Sequence, residues 1–436
     1  MKPRLFLAIA FALTLVAAAC QPAAAPSSSP SASTQPSASA SAAPVALTVW
    51  LMNGSAPDSI VNAVNQEFQS KNPNVTVKVE IQQWGDVTTK LDTAFAGSNP
   101  PDVVELGNTL VAKYAAAGAL LDITGKTASF ENSGSWLKSL TESCTFGGKL
   151  FCAPYYAGSR AIIYRTDLFQ KANVKVPTTL DELATAGTTL MNANKSDAQF
   201  SALYFPGKYW YAALPFIWEF GGEIAVQNGG KWQGAIDGAN AQQGLTTLKS
   251  LVDKLSKADK TGDEAKQDQA FAQGHIAMII ANGWEVGVIL DPKSGDPTLK
   301  DKLGVFPIPG KAAGSSAPVF LGGSDLGVAA KSKNAELATQ WVQMLTNAKY
   351  QTQMATVGKV IPNTTSLLDL NKSDPLIGTF AVAAKNSRFT PNATNWANVE
   401  SANVLPDMLV SIFTNKASIA DATKAASTKL TQILGQ

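Results

Sequence analysis

The sequence predicts an α/β protein of two domains. Three observations predict it. Strand and helix patterns alternate from Leu47 to Leu106. The stretch from Leu47 to Gln436 is too long for one ordinary core. The composition is globular, 45% hydrophobic and 16% charged.

Leu47-Thr48-Val49-Trp50-Leu51 reads as the opening strand. Asp58 or Ser59 is placed to cap a helix in which Ile60, Val64 and Phe68 recur at helical spacing, and Asn72-Pro73 ends it. Val75, Val77, Val79 and Ile81 alternate with polar residues, so the next strand has period two. A helix carrying Leu91, Ala94 and Phe95 follows, then a turn from Gly97 to Pro101 and a short buried strand, Asp102 to Leu106. This βαβαβ order implies a parallel sheet covered by helices, with ligands at the carboxyl ends of its strands. Asn53 and Gly54, Trp84, and Gly107-Asn108-Thr109 fall along that edge.

Before the first strand lies a leader. Lys2 and Arg4 precede an apolar run from Leu5 to Ala19, broken only by Thr14. At about 15 residues it is shorter than the roughly 20 a spanning helix needs, and residues 1–19 read as a signal peptide. Ala17-Ala18-Ala19-Cys20 resembles the lipobox of bacterial lipoproteins, with Ala17 where that pattern usually has Leu. The resemblance implies lipidation of Cys20, and the alternative is an ordinary secretory signal with an incidental cysteine. Gln21 to Pro44 is nearly all Ser, Ala and Pro, so residues 20–44 are expected to form a lipidated cysteine and a disordered tether. Its maximal reach is on the order of 75 Å.

Charge and composition exclude several functions. Without Lys2 and Arg4 the 35 basic residues become 33, equal to the 33 acidic ones. A balanced surface argues against nucleic acid and against a polybasic membrane contact. The single histidine, His275, excludes a histidine-built zinc site and reads as surface or structural. No GxxxxGK[ST] motif occurs, so an ATPase partner has to be another polypeptide. No cofactor is expected. Cys144 and Cys152 flank a Gly147-Gly148 turn between short apolar stretches. That pattern reads as a hairpin with the cysteines on its paired strands, and in an exported protein it predicts a Cys144–Cys152 disulfide. Two free buried cysteines are the alternative.

Several segments in order resemble the sugar-binding lipoproteins of ABC importers, the extracellular solute-binding proteins related to maltose-binding protein. They are Leu47 to Trp50, Asn99-Pro100-Pro101-Asp102-Val103-Val104, Gly148 to Tyr156, and Ile162 to Phe169. Pro177 with Thr179 to Leu183, Phe271 to Met278, Asn282-Gly283-Trp284, and Leu321 to Asp325 complete the series. Thr179 and Glu182 are also spaced as a capping box. The resemblance covers nearly all of residues 45–436. It implies a two-lobed periplasmic-binding-protein fold, each lobe a sheet flanked by helices and joined by hinge strands. By analogy lobe 1 is 45–156 plus 322–365, and lobe 2 is 157–321 plus 366–436. It further implies hinge closure on an oligosaccharide, delivery to an ABC permease in the membrane, membrane contact through the lipid anchor at the outer face of the cytoplasmic membrane, a monomer, and no catalysis.

Sugars are recognised by aromatic rings on their C–H faces and by carboxylates, amides and Arg on their hydroxyls. The candidate ligand residues are accordingly Asn53, Trp84, Glu105, Asn108, Arg160, Trp218, Glu219, Trp284, Ser324, Asp325 and Trp396. Trp284 and Trp396 stand in loop-like polar settings and match family site positions. Helix packing would equally explain Trp218, a salt bridge Arg160, and a turn cap Asp325. Trp50 and Trp341 are assigned to the core. Glu105 to Thr109, Tyr155 to Arg160 and Phe320 to Asp325 look most like the branch that takes N-acetylglucosamine and chitobiose-type sugars. Malto-, cello- and xylo-oligosaccharides, a peptide or a polyamine remain open, as does a secreted glycoside hydrolase, although no motif singles out a catalytic carboxylate pair.

Overall fold

The computed structural model describes residues 43–435. The signal peptide, Cys20 and the tether up to position 42 lie outside the described residues. The described chain is a mixed α/β protein of two lobes.

The first lobe is built on a six-stranded sheet ordered Ile361–Pro362, Cys152–Gly158, Gly322–Val328, Val103–Gly107, Val45–Met52, Val75–Gln82. The three amino-terminal strands are parallel to one another, as their βαβαβ order requires. The rest of the sheet is mixed: Gly322–Val328 runs antiparallel to both Val103–Gly107 and Cys152–Gly158. The reason is that this strand enters from the second lobe rather than through a crossover helix on its own sheet.

Helix Asp58–Lys71 buries Ile60, Val61, Val64 and Phe68 against this sheet. It starts at Asp58 after Pro57 with no side-chain cap, so neither Asp58 nor Ser59 caps it as expected. The period-two strand Val75–Gln82 lies at the sheet edge, and Ile81 on it is exposed because no further strand covers that side. Leu47, Val49, Leu51, Val103, Val104, Leu106 and the helix residue Trp341 close the core of this lobe.

The second lobe contains an antiparallel sheet ordered Met278–Asn282, Arg160–Arg165, Leu303–Phe306. Side chains alternate across a strand, so Ile162 joins one hydrophobic cluster with Phe205, Phe216 and Leu248, while Ile163 joins another with Phe271, Ile289 and Phe380. Helix Leu180–Ala193 begins with Thr179 accepting from Glu182 N at 3.1 Å. The Glu182 carboxylate returns to Thr178, one residue earlier than a standard capping box.

The chain passes between the two sheets in the shortest way available. Cys152–Gly158 belongs to the first sheet and Arg160–Arg165 to the second, with Ser159 alone between them. It returns through Val319–Phe320 into Gly322–Val328.

Cys144 and Cys152 form a disulfide with Cα atoms 5.0 Å apart. The hairpin between them is formed by Thr145–Phe146 and Lys149–Leu150, with Gly147 and Gly148 both at positive φ (56° and 77°). The cysteines do not sit on the paired strands, as the sequence reading had them. Cys144 ends the helix Lys138–Cys144 and Cys152 opens the crossing strand, so the bond ties a helix end to the hinge.

Among the described residues, no helix is long and apolar enough to cross a membrane.

Candidate ligand-binding cleft

All nine tryptophans lie in the described residues, and two of them, Trp84 and Trp284, are exposed. Trp84 opens a short 3-10 turn after the strand Val75–Gln82 and is 43% exposed. Trp284 follows the strand Met278–Asn282 and is 40% exposed. They therefore come from opposite lobes, each from the carboxyl end of a strand.

Both rings rest on glycines of the first sheet. A Cβ at Gly107 would lie 3.5 Å from Trp84 Cζ3, ordinary contact. A Cβ at Gly158 would lie 2.3 Å from Trp284 Cζ3 and 2.6 Å from its Cη2, so any larger residue displaces the ring. Gly158 pairs with Gly322, and Gly107 pairs with Ser324 on the same central strand. Two strand spacings separate the glycines, which places them on the order of 10 Å apart. That is the scale of two linked pyranose rings.

Arg160 starts the first strand of the second lobe beside this place. It is 6% exposed, and its Nε donates to Tyr209 Oη at 3.1 Å. The guanidinium stands 4.8 Å from the Tyr211 ring centroid, 5.5 Å from Phe320 and 5.6 Å from Tyr209. Tyr211 and Phe320 are stacked, 4.8 Å apart with planes 19° from parallel. Across the strand pair Arg160 faces Asn282. Asn282 N and Nδ2 donate to Glu285 Oε1 at 2.8 and 3.3 Å, and Gln267 Nε2 donates to Glu285 Oε2 at 2.8 Å. Burial raises the Glu285 carboxyl to about 7.

Behind these residues lies a buried carboxyl network. Glu105 accepts from Met52 N at 2.8 Å and Ser55 Oγ at 2.7 Å, with Tyr156 Oη at 3.5 Å. Burial outweighs these bonds and raises it to about 7. Ser324 Oγ donates to Tyr156 Oη at 3.3 Å. Asp325 accepts from Ser143 Oγ at 2.8 Å beside the disulfide, and burial pushes its carboxyl well up.

Asn108 Nδ2 donates to Leu321 O at 3.0 Å and so ties the strand end to the returning crossover. Next to it, Thr109 Oγ1 donates to Glu400 Oε2, whose other oxygen receives Trp396 Nε1 at 2.8 Å. Burial raises Glu400 to about 7.

The structure therefore brings Trp84, Trp284 and Arg160 to the strand ends where the lobes meet, with Asn53 exposed on the same edge. Glu105, Asn108, Ser324 and Asp325 are buried behind them and engaged by protein partners. Trp396 opens the helix Trp396–Ser401 and is 1% exposed, not in the loop-like setting expected of it. It packs 6.1 Å from Trp210. Trp218 is core, under the Arg388 guanidinium, two turns along its helix from Trp210. Glu219 Oε1 accepts from Lys311 N at 2.7 Å and does not join the group. Sequence reasoning did not select Tyr209, Tyr211, Phe320, Asn282, Thr109 or Glu400. The segments of Phe320, Asn282 and Thr109 were noted, but only strand register and helix phase reveal which side chains meet Arg160 and each other.

A two-lobed fold with aromatic rings presented from both lobes at the strand ends defines a solute-binding protein. The chain belongs to the family of bacterial extracellular solute-binding proteins, whose model matches residues 53–352. It is 34% identical to the diacetylchitobiose binding protein DasA of Streptomyces coelicolor over 394 residues, 89% of this chain and 90% of that one. Its fold is similar to the GacH receptor of Streptomyces glaucescens, solved unliganded and with acarbose (TM-score 0.77, 24% identity, 90% of this chain and 98% of that chain). It is similar also to the maltose-bound MalE3 of T. maritima (TM-score 0.75, 22% identity, 89% of this chain and all of that one).

Proposed function

We propose that the protein binds an oligosaccharide of the N-acetylglucosamine or chitobiose type between its lobes and delivers it to the permease of an ABC importer. The observation that carries this reading is the pair of exposed tryptophans, one from each lobe, seated over glycines about two strand spacings apart. A ligand that touches both rings gains contact only when the lobes come together, so its binding energy favours closure. The name of the DasA relative supports the choice of sugar.

The lobes of this reading are 45–156 plus 322–365 and 157–321 plus 366–436, and the positions of the two sheets support them. Cys20 is the lipidated residue that holds the protein at the outer face of the cytoplasmic membrane, and the protein acts as a monomer. It carries out no reaction on its sugar: Glu105, Glu285, Glu400 and Asp325, the carboxyls nearest the cleft residues, are buried and bonded to protein groups.

A thermal-shift series on protein stripped of bound sugar tests the reading. A sugar that binds the folded state at 100 times its dissociation constant adds about 2.7 kcal/mol. A shift with N-acetylated chito-oligosaccharides is expected. A shift with malto-, cello- or xylo-oligosaccharides alone would replace the sugar, and none with any sugar would overturn the reading.

A further inference from the structure

Two buried polar atoms near the first crossing between the lobes have no hydrogen-bond partner: Nη1 of Arg160 and, next to the Trp284 ring, Oδ1 of Asn282. Both residues are 6% exposed, and they face each other in register on neighbouring strands. Arg160 Nε is fixed by Tyr209 Oη, and Asn282 Nδ2 by the Glu285 carboxylate, which leaves the Asn282 oxygen free to accept. No carboxylate among the described residues pairs with Arg160; Glu264 acts on it only from a distance. Buried polar groups in native proteins are nearly always paired, so a neighbouring orphan donor and orphan acceptor call for a partner that is not protein.

The chemistry of that partner follows from where the two groups lie. The guanidinium stands against Tyr209, Tyr211 and Phe320. The Asn282 oxygen lies 3.2 Å from where a Gly158 Cβ would be, next to the Trp284 ring. A carboxylate ligand would oppose the Asn282 oxygen and the Glu285 carboxyl. A hydroxyl carries its donor and acceptor on one atom. A secondary amide carries them on opposite edges, which suits groups drawn toward different neighbours.

We propose that Arg160 and Asn282 are the residues that select an N-acetylated sugar, Arg160 Nη1 donating to the acetamido carbonyl and Asn282 Oδ1 accepting from its N–H. This assignment rests on the sugar-binding reading above and makes discrimination by the acetamido group a property of two named side chains.

Calorimetry on the purified protein with N,N′-diacetylchitobiose, its de-N-acetylated counterpart and cellobiose tests it. Wild-type protein should prefer the acetylated sugar. Arg160→Met and Asn282→Ala should each weaken that sugar roughly 10- to 100-fold, the range for a hydrogen bond involving a charged or buried group. The ratio of affinity for the acetylated sugar over the two sugars without acetyl groups should fall by the same factor, whatever the change in overall sugar affinity. Arg160→Lys keeps the charge without the fork and serves where Arg160→Met does not fold. The 13C resonance of a carbonyl-labelled acetyl group should move downfield on wild-type protein and stay near its free position on the Arg160 variant. This readout decides the matter even where the other two sugars bind too weakly to measure. Equal wild-type affinity for cellobiose, or variants that leave the acetylated sugar and its carbonyl resonance unchanged, overturns the assignment while the sugar-binding reading stands. Wild-type protein that binds none of the three brings down that reading itself, and this assignment with it.

Discussion

Thr109 Oγ1 donates to Glu400 Oε2 at 3.2 Å, joining groups 291 positions apart. Thr109 follows the strand Val103–Gly107 of the first sheet, and Glu400 lies in the helix Trp396–Ser401, whose Trp396 packs in the core of the second lobe. The same carboxyl holds Trp396 Nε1. One carboxyl group thus ties a strand end of one lobe to a core tryptophan of the other. Thr109→Val removes the link without removing bulk. It should lower stability by about 1 kcal/mol, read from urea melts. An unchanged midpoint would show that the bond contributes nothing to holding the lobes together.

The buried carboxyls set the pH response. Burial raises Glu105, Glu285 and Glu400 to about 7 each, from an ordinary value of 4.5. The folded state then binds more protons than the unfolded chain between these values, so stability falls as pH rises from about 4.5 to 7. Each group contributes on the order of 3 kcal/mol at the upper limit. Glu400→Gln should flatten part of the decline in a series of melts from pH 5 to 8. A stability that climbs over that range would contradict the assignment of these groups.

Gly158 should tolerate no side chain. Its alanine variant pushes a methyl into Trp284, which must tilt away, at a cost of roughly 1–3 kcal/mol. Sugar affinity should drop about tenfold or more, since the displaced ring costs contact energy of at least about 1.4 kcal/mol. Gly107→Ala meets Trp84 at ordinary contact distance and is the control. Calorimetry on both variants separates a specific ring seat from a general intolerance of the sheet.

Exposed and buried tryptophans should part company. Trp84→Ala and Trp284→Ala remove half-exposed rings and should cost only about 1 kcal/mol of stability each while weakening sugar binding. Trp396→Ala empties a core position and should cost about 3–5 kcal/mol. Denaturant melts and calorimetry on the same three variants check both halves; a stable Trp396 variant with lost binding would return Trp396 to the cleft.

The disulfide closes a small loop, for which the chain-entropy model gives roughly 2.5 kcal/mol. Reductant, or paired Cys144→Ser and Cys152→Ser substitutions, should lower the melting midpoint accordingly. An unshifted midpoint would mean that the native helix–strand contact holds without the bond.

Much of the architecture was legible along the chain. Ile60, Val64 and Phe68 announced their helix because burial on one helical face imposes a 3.6-residue period. The strand ends carrying Asn53, Trp84 and Asn108 followed from the βαβαβ order. The cysteine pairing followed from a short Gly-Gly hairpin, though helix Lys138–Cys144 was missed there because its seven residues are too few for a clear period. Trp396 was misjudged for a related reason. Polar neighbours on a short helix look like a loop, while the helix turns the ring inward.

By itself the sequence determined the alternating elements, the two-domain scale, the disulfide and the residue types available for a sugar, because local periodicity and composition carry that information. Only the tertiary structure decided which of them meet. Arg160 finds Tyr211 and Phe320, Glu400 finds Thr109, and Trp284 finds Gly158. Each partnership depends on strand register and on a chain that crosses between two sheets more than once, and contacts of that range leave no local pattern in the order of residues.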